Sequence, residues 1–379
     1  MKYAHLAAAT ALVTLTGLCG PAFAQAFTIT DIAGREVSFE APIERVILGE
    51  GRLIYSLAPI ETENPFAKVV GWRDDLYTTD EEVYEAYAEK FPEVRDITYL
   101  GNLTGGTLQV ETLVDLDPDV VLFPISSKQA ADEVQLEQTL SGIGIQIVYV
   151  DFREHVIDNT IPSLHILGEL FDKPERAQEV ADYWQAEIDR VTDVINAQAD
   201  LERQNVFVYR AAGLVECCGT YGPDNFGLMV DMAGGHNIGS DFLPGFSGSL
   251  NPEQVVASNP DVVIVTGSNW SHYDGAEGFV SMGHAAAATV EDSRAALAAL
   301  MQEPAFTGSD AVANGRVYGI WHQFYTNPYQ FVAIQQLAKW LHPELFADLD
   351  PEATFQEFHD RFLPIDYSPG YWFSLEEGK

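Results

Sequence analysis

Four arginines follow short apolar runs that have the length of a β-strand. They are Arg52, Arg73, Arg153 and Arg210, which come after "RVILG", "KVVGW", "IVYVD" and "NVFVY". In open α/β sheets, ligands bind outside the carboxyl ends of the strands. A guanidinium group at such a position can bind an anion through paired N–H donors. A surface ion pair would explain any one of these arginines, whereas their recurring position favours an anionic ligand.

Aromatic and histidine side chains follow two further apolar runs. Trp270 and Tyr273 come after "VVIVTG", and His322, Tyr325 and Tyr329 belong to "GIWHQFYTNPY". Their ring faces and polar tips suit a bulky, partly apolar ligand. A buried aromatic cluster with paired hydroxyl groups would explain them equally well, so both interpretations stay open.

The usual motifs of hydrolases and nucleotide-binding enzymes are absent from the sequence. It contains no G-x-S-x-G, no P-loop and no H-E-x-x-H, so we expect neither catalytic activity nor a cofactor. Cys217 and Cys218 are adjacent, and Cys19 is the only other cysteine. The pair predicts either a strained vicinal disulfide or two free thiols. A secreted enzyme that uses these cysteines is the remote alternative.

One phrase occurs twice in the chain. "LQVETLVDLDPDVVLFP" begins at Leu108 and "LNPEQVVASNPDVVIVTG" begins at Leu250, which places Glu111 and Glu253 142 positions apart. This separation is too long for the period of a solenoid and indicates two similar half-proteins. Each glutamate lies in the first turn of a predicted helix, where a carboxylate stabilises the positive helix end. A symmetric pair of glutamates, one in each half, is also suited to docking on a partner with two-fold symmetry.

The elements that position these residues alternate between strands and helices. This alternation predicts an α/β protein made of two Rossmann-like lobes with mainly parallel sheets. Apolar residues between the lobes instead recur at steps of three and four, which predicts helix, with a break near Asp172–Pro174. We therefore expect one long α-helix to bridge the lobes. The predicted boundaries are 25–155 for the first lobe, 156–200 for the linker region and 201–379 for the second lobe.

Residues 1–24 predict a cleavable signal peptide. An apolar run follows Lys2, and Ala22-Phe23-Ala24 provides a small-residue cleavage site. Without this segment the chain has 19 basic and 57 acidic residues, a net charge of −38. Such an acidic surface repels phosphate backbones and argues against a nucleic-acid partner. We expect an exported, periplasmic protein that is a monomer.

Taken together, these segments resemble the substrate-binding proteins of ABC importers for iron–siderophore complexes, haem and cobalamin. The resemblance rests on "ITDIAGREVSF", "YLGN", "LHILGELFDKPERAQEVADYW" and "ANGRVYGI", together with the two P-D-V-V phrases. It implies two lobes joined by a rigid helix, a ligand cleft between them, and a permease dimer that is contacted by Glu111 and Glu253. The segment "TTDEEVYEAYAEKFPEV" departs from the commoner members of this family.

The resemblance leaves several ligands open. The arginines favour a ferric chelate of negative charge, most simply an anionic siderophore, which Arg52, Arg73, Arg153 and Arg210 would neutralise. In that case we expect no protein atom to bind the metal. For haem or bare ferric iron, His322 or Tyr325 would be a direct ligand of the metal. A largely neutral cobalamin gives no reason for the arginines.

Overall fold

A computed structural model describes residues 26–376 of the chain. The predicted signal peptide, 1–24, lies outside these described residues. Within 26–376, none of the helices combines the length and the apolar character needed to span a membrane.

The first lobe is built on a parallel sheet, as the alternation of strands and helices predicts. A hairpin of two antiparallel strands precedes it and contacts the β7 edge through Ile32, whose N–H donates to the carbonyl of Tyr149 at 3.1 Å. The described strands of this sheet lie in the order β5-β4-β3-β6-β7. Strands β1 to β7 of the lobe are Phe27–Thr30, Glu36–Phe39, Val46–Leu48, Val69–Trp72, Thr98–Tyr99, Val120–Pro124 and Gln146–Val150. Helices α1 to α6 are Ile54–Leu57, Asp75–Thr79, Glu81–Lys90, Val110–Asp115, Lys128–Glu133 and Leu136–Ser141.

The linker region consists of two helices. Helix α7 is Val156–Leu170 and helix α8 is Pro174–Asn196, so the bridging helix of the prediction is α8 with α7 packed beside it. The break lies where the sequence indicates it, because Asp172 adopts a positive φ of 57° and Pro174 is the first helical residue of α8. Apolar side chains of α8 such as Trp184 are buried, since they recur on one face of the helix.

The second lobe repeats the architecture of the first. Its described strands lie in the order β10-β8-β12-β13-β14, with only β14 antiparallel to its neighbour, and β9 pairs separately with β11. Strands β8 to β14 are Asn205–Tyr209, Gly219–Tyr221, His236–Asn237, Ser247–Ser249, Val262–Gly267, Val317–Trp321 and Trp372–Ser374. Helices α9 to α14 are Phe226–Met232, Pro252–Ser258, Val290–Leu300, Asp310–Ala313, Gln330–Leu341 and Pro351–Phe362. Short 3-10 turns occupy Gly51–Leu53, Pro92–Asp96, Ile125–Ser127, Ile238–Asp241, Ala286–Thr289 and His322–Thr326.

The repeated P-D-V-V phrase has the same structural role in both lobes. In the first lobe, Oδ2 of Asp119 accepts hydrogen bonds from the backbone N–H groups of Glu44 and Arg45, at 2.7 and 2.8 Å. In the second lobe, Oδ2 of Asp261 accepts from the backbone N–H of Asn205 at 2.8 Å. Each aspartate thereby ties the start of its own strand, β6 or β12, to a neighbouring strand of the sheet. The two valines that follow are fully buried in the sheet because parallel strands are covered on both faces.

A segment of the first lobe crosses to the second lobe. It comprises α2 and α3, which contain most of the acidic insertion "TTDEEVYEAYAEKFPEV". The carbonyl of Thr79 accepts a hydrogen bond from Oγ of Ser268 at 2.7 Å, and Oε1 of Glu82 accepts from Nδ2 of Asn269 at 2.6 Å. The ring of Tyr77 stacks on His272 with centroids 4.6 Å apart. We call residues 75–90 the crossing segment.

Candidate functional site

The carboxyl ends of the strands in both sheets meet at the interface between the lobes. Arg52 follows β3 of the first lobe, and its Nη1 donates to Oε1 of Gln323 at 3.0 Å and to the hydroxyl of Tyr325 at 2.7 Å. Both acceptors follow β13 of the second lobe. The prediction that side chains after the strands of the two lobes gather in one place is therefore supported for these residues.

Arg153 lies beside Arg52 and shares a carboxylate with it. Oε1 of Glu50 lies 2.7 Å from Nη2 of Arg52 in an ion pair and accepts a hydrogen bond from Nη2 of Arg153. Arg153 reaches the second lobe as well, because its Nη2 donates to Oγ1 of Thr326 at 2.8 Å. Burial alone would raise the pKa of Glu50, but the charges of Arg153, Arg52 and Arg73 outweigh it and lower this pKa to about 2. Glu50 is therefore ionised between two arginines.

Asp75, the first residue of the crossing segment, forms a second ion pair with Arg52. Its Oδ2 accepts from Nε of Arg52 at 2.8 Å, and its Oδ1 accepts from the backbone N–H of Gly51 at 2.6 Å. Burial raises the pKa of this carboxyl group in spite of the neighbouring Arg52. Nε of Arg73 lies 4.0 Å from Oδ1 of Asp75, so the guanidinium of Arg73 makes only a long ion pair.

The guanidinium of Arg210 has no partner among the described residues 26–376. It is half-buried after β8, and its Nε is buried with no hydrogen bond to any residue that the structure describes. Its backbone N–H donates to the carbonyl of Gly219 at 2.9 Å, which fixes the main chain at this position. A buried donor without an acceptor costs free energy unless a ligand or water satisfies it. Arg210 is thus available to an anion.

His322 stands between the arginines of the two lobes. Its Nδ1 lies 2.9 Å from Oγ1 of Thr266, and its ring centroid is 4.5 Å from that of Tyr325. Burial and then the positive charges of Arg210, Arg52 and Arg153 lower the pKa of His322 well below its ordinary value. The imidazole is therefore neutral at physiological pH and adds no charge to the site.

Tyr325 of the second lobe contacts two arginines of the first lobe. The guanidinium carbon of Arg153 lies 4.9 Å from its ring centroid, and that of Arg52 lies 5.4 Å away. Such cation–π contacts add to the hydrogen bond that its hydroxyl accepts from Arg52. Arg52, Arg153, Arg210, His322 and Tyr325 are hereafter called the arginine cluster.

The other predicted aromatic residues are placed differently. Trp270 is buried, with its ring centroid 5.4 Å from that of His322, so it lies directly behind the arginine cluster. Tyr273 is 44% exposed on the loop after β12. Tyr329 is buried in the core and donates its hydroxyl hydrogen to the carbonyl of Tyr55 at 2.9 Å, between the rings of Phe355 and Phe358. Tyr329 is thus part of a buried aromatic cluster, and its hydroxyl bonds to Tyr55 of the first lobe.

Several side chains of the site were not singled out from the sequence. Tyr221 of β9 is fully buried, and burial raises the pKa of its hydroxyl although the charge of Arg210 lowers it. Thr266 links the backbone N–H of Ala211, at 2.8 Å, to His322. Neither position carries a sequence signal, because a tyrosine or threonine in a strand is ordinary. Glu50, by contrast, directly follows β3 and could have been included on the rule that identified Arg52.

The two repeated glutamates are exposed at equivalent positions. Glu111 is the second residue of α4, and Glu253 is the second residue of α10. An Asn251–Gln254 capping box and Pro252 at the first position begin α10, as the sequence indicates. Both glutamates are placed at helix starts, as predicted, and both are accessible to a partner.

The adjacent cysteines form a disulfide across a cis peptide bond. Of the two alternatives that the sequence left open, the structure has the vicinal disulfide. Cys218 is fully buried, and its carbonyl accepts from the N–H of Leu250 at 3.0 Å. Among residues 26–376, no group of three His, Cys, Asp or Glu side chains is arranged to hold a metal ion.

Residues 70–323 match the family described as periplasmic binding protein. This match covers more than half of the chain. The chain belongs to the periplasmic binding protein family. The predicted resemblance to substrate-binding proteins of ABC importers is thereby confirmed, and so is the two-lobed α/β fold.

Known periplasmic binding proteins resemble this one over nearly its whole length. The crystal structure of the TroA-like periplasmic binding protein FepB from Veillonella parvula superposes with a TM-score of 0.81 and 27% identity, covering 92% of this chain and 99% of that chain. The molybdate-binding protein MolA of Haemophilus influenzae is 23% identical over 371 residues, which is 90% of this chain and 92% of MolA. Its molybdate-bound structure superposes with a TM-score of 0.69.

A cobalamin-binding protein of Halobacterium salinarum is 28% identical over 212 residues, or 54% of this chain and 53% of that protein. Two proteins similar to this chain therefore bind different ligands, molybdate and cobalamin. Membership of the family gives the architecture and the transport role, and the ligand has to be argued from the arginine cluster.

Proposed function

We propose that this protein binds an anionic solute between its lobes, in the periplasm, and delivers it to the permease dimer of an ABC importer. The observation that carries this proposal is the guanidinium of Arg210, which bonds to no residue within the described part of the chain and whose charge acts on the neutral His322 together with the charges of Arg52 and Arg153. Arg52, Arg73, Arg153 and Arg210 supply four positive charges, whereas Glu50 and Asp75 supply at most two negative ones. The surplus of positive charge favours a ligand with about two negative charges.

A ferric chelate of negative overall charge is the first candidate for this solute. Its carboxylate or phenolate groups would pair with Arg73 and Arg210, and the rings of Tyr325 and Trp270 would lie near its organic shell. A chelate of this size requires the lobes to separate, because Arg52 and Arg153 now bond directly to Tyr325 and Thr326. If the solute were haem instead of a ferric chelate, His322 or Tyr325 would bind the haem iron.

A compact oxyanion such as molybdate is the second candidate. The specific observation in its favour is that side chains of the two lobes are in direct contact at the arginine cluster. Nη1 of Arg52 lies 2.7 Å from the hydroxyl of Tyr325 in the opposite lobe. A tetrahedral anion needs only a small displacement of such side chains. The similarity to MolA, which binds molybdate, agrees with this candidate.

A binding screen on the purified protein tests the proposal. Sodium molybdate, ferric citrate, a ferric catecholate, haem and cyanocobalamin would be titrated by calorimetry and by tryptophan fluorescence, because Trp270 lies 5.4 Å from His322. We expect saturable binding of an anion, and the substitution Arg210→Gln should weaken it at least tenfold. Arg361→Gln is the matched control, since Arg361 pairs with Glu357 on the exposed face of α14. Binding of cyanocobalamin alone, or equal affinity in both variants, would refute anion capture.

A further inference from the structure

We propose that Asn225 is a positioning residue of the anion site, whose side-chain amide fixes the main chains of Arg153 and Tyr325 so that the guanidinium of the one faces the ring of the other. The inference rests on the proposed function, because it assigns a further residue to the same site. Asn225 follows β9 in the second lobe and directly precedes helix α9. In this role it acts through two neighbouring residues and does not contact the anion.

The side-chain amide of Asn225 joins the two lobes. It is fully buried, and its Nδ2 donates to the carbonyl of Arg153 in the first lobe at 2.6 Å and to the carbonyl of Tyr325 in the second lobe at 2.8 Å. Its Oδ1 accepts from the backbone N–H of Phe226 at 2.9 Å. An amide NH₂ group has two hydrogens, so both donors are used. Because carbonyl groups only accept, the amide cannot be turned over without losing both bonds.

A role at the start of α9 accounts for only part of these bonds. Asparagine is favoured at a helix start because its oxygen accepts from a backbone N–H group, and the bond from Phe226 meets that need. The two donors are directed to other parts of the chain. Asn225 also has a φ of 56° and a ψ of −124°, a conformation that residues other than glycine rarely adopt. Such backbone persists where the surrounding contacts enforce it, and it is concentrated at functional sites.

The main chain of Arg153 is held on both sides. Its N–H donates to Oδ1 of Asp151 at 2.9 Å, and its carbonyl accepts from Asn225. From this fixed main chain the guanidinium carbon lies 4.9 Å from the ring centroid of Tyr325, and Nη2 donates to Oγ1 of Thr326 at 2.8 Å. One amide therefore holds the main chains of both residues in this cation–π contact, and a shift of either would separate the charge from the ring.

The position of Arg153 matters because a guanidinium that is already ordered binds an anion at a lower entropic cost. A mobile arginine has to be immobilised when the ligand arrives, and this cost is subtracted from the affinity. Side chains of a binding site are kept in place by the residues that support them. Removal of the Asn225 amide should therefore weaken anion binding, and it should do so through Arg153.

The test is a double-mutant cycle between Asn225→Gly and Arg153→Gln in the full mature chain, with calorimetric titration of sodium molybdate, ferric citrate and a ferric catecholate. Glycine adopts a positive φ without strain and adds no charge. We expect Asn225→Gly to weaken anion binding about tenfold, and to change it little when Arg153 is already replaced. Asn259→Gly is the matched control, because Asn259 also has a positive φ, of 39°, and its amide bonds to Asp310 on an exposed face.

A spectrum of the ligand-free protein provides an independent readout. In protein labelled with nitrogen-15 arginine, the Nε–H signal of Arg153 is assigned from its loss in Arg153→Gln. This signal should shift in Asn225→Gly, because the guanidinium leaves the ring current of Tyr325. A purely structural role of Asn225 would lower thermal stability and leave the signal in place. If Asn225→Gly does not fold, Asn225→Ser, which keeps one donor, is measured in the same cycle, with a smaller loss of affinity expected.

The outcomes separate the two proposals. Anion binding that is weakened by Arg210→Gln but not by Asn225→Gly would overturn the inference and leave anion capture intact. Equal losses from Asn225→Gly with and without Arg153, or an unshifted Nε–H signal, would also overturn it. Absence of binding by every anion of the screen would remove the proposed function and, with it, this role of Asn225.

Discussion

Replacing Glu50 with glutamine should destabilise the folded protein and strengthen anion binding at the same time. Glu50 is 4% exposed, and its Oε1 compensates the charges of both Arg52 and Arg153. In the Glu50→Gln variant these two guanidinium groups would remain buried with less negative charge beside them. The same change removes a negative charge that opposes the arrival of an anion.

The magnitude follows from the pKa of this carboxyl group. The lowering of this pKa from 4.5 to about 2 corresponds to roughly 3 kcal/mol of folding stability, since a shift of one pKa unit corresponds to about 1.4 kcal/mol. Removal of one partner from a buried ion pair costs a similar amount, about 3–5 kcal/mol. Because the folded-state pKa is lowered, this contribution is complete above about pH 4.5 and is lost as the pH falls toward 2.

Urea unfolding followed by tryptophan fluorescence at pH 7 and at pH 3.5 measures the effect. We expect Glu50→Gln to lower the unfolding free energy by about 3 kcal/mol at pH 7 and by clearly less at pH 3.5. Glu85→Gln is the control, because Glu85 pairs with Arg95 on an exposed face and should change little. A loss of equal size at both pH values, or none at pH 7, would refute the role assigned to Glu50. Weaker anion binding would show instead that Glu50 positions the arginines for the ligand.

Three further predictions concern the rest of the interface and the docking face. Arg73→Gln should weaken an anionic ligand by about 1.5–3 kcal/mol in calorimetry, since Arg73 makes only a long ion pair in the protein; unchanged affinity would exclude it from the site. Reversing Glu111 and Glu253 to arginine should leave affinity intact and abolish uptake of labelled solute into cells that carry the permease, whereas normal uptake would contradict docking through these residues. Glu82→Ala and Asn269→Ala should each accelerate ligand release in stopped-flow experiments, with non-additive effects in the double variant because the two side chains bond to each other at 2.6 Å.

The sequence predicted the fold well because its signals were local. Runs such as "VVIV" are apolar throughout, as is typical of strands covered on both faces, and the steps of three and four in α8 are those of an amphipathic helix. The P-D phrase could be recognised as a repeat. Its cause became visible only in three dimensions, where Asp119 and Asp261 each hold the start of a neighbouring strand.

The site was predicted less completely, because its contacts join distant parts of the chain. The rule that ligands bind after strands identified Arg52 and Arg210, but it could not show that Arg52 is bonded to Asp75 whereas Nε of Arg210 finds no acceptor among the residues that the structure describes. Tyr329 and Tyr325 are four residues apart in one aromatic run. Both contact the first lobe, Tyr329 through the carbonyl of Tyr55 and Tyr325 through the guanidinium of Arg52, and residue type alone does not indicate which partner each one has.

The crossing segment links the two lobes on the same side as Asp75, which orients Arg52. Separation of the lobes therefore has to break the bonds of this segment to Ser268 and Asn269 as well as those of Arg52 and Arg153 to Tyr325 and Thr326. The insertion thus adds a second set of polar contacts to the interface, and an opening motion has to release both sets.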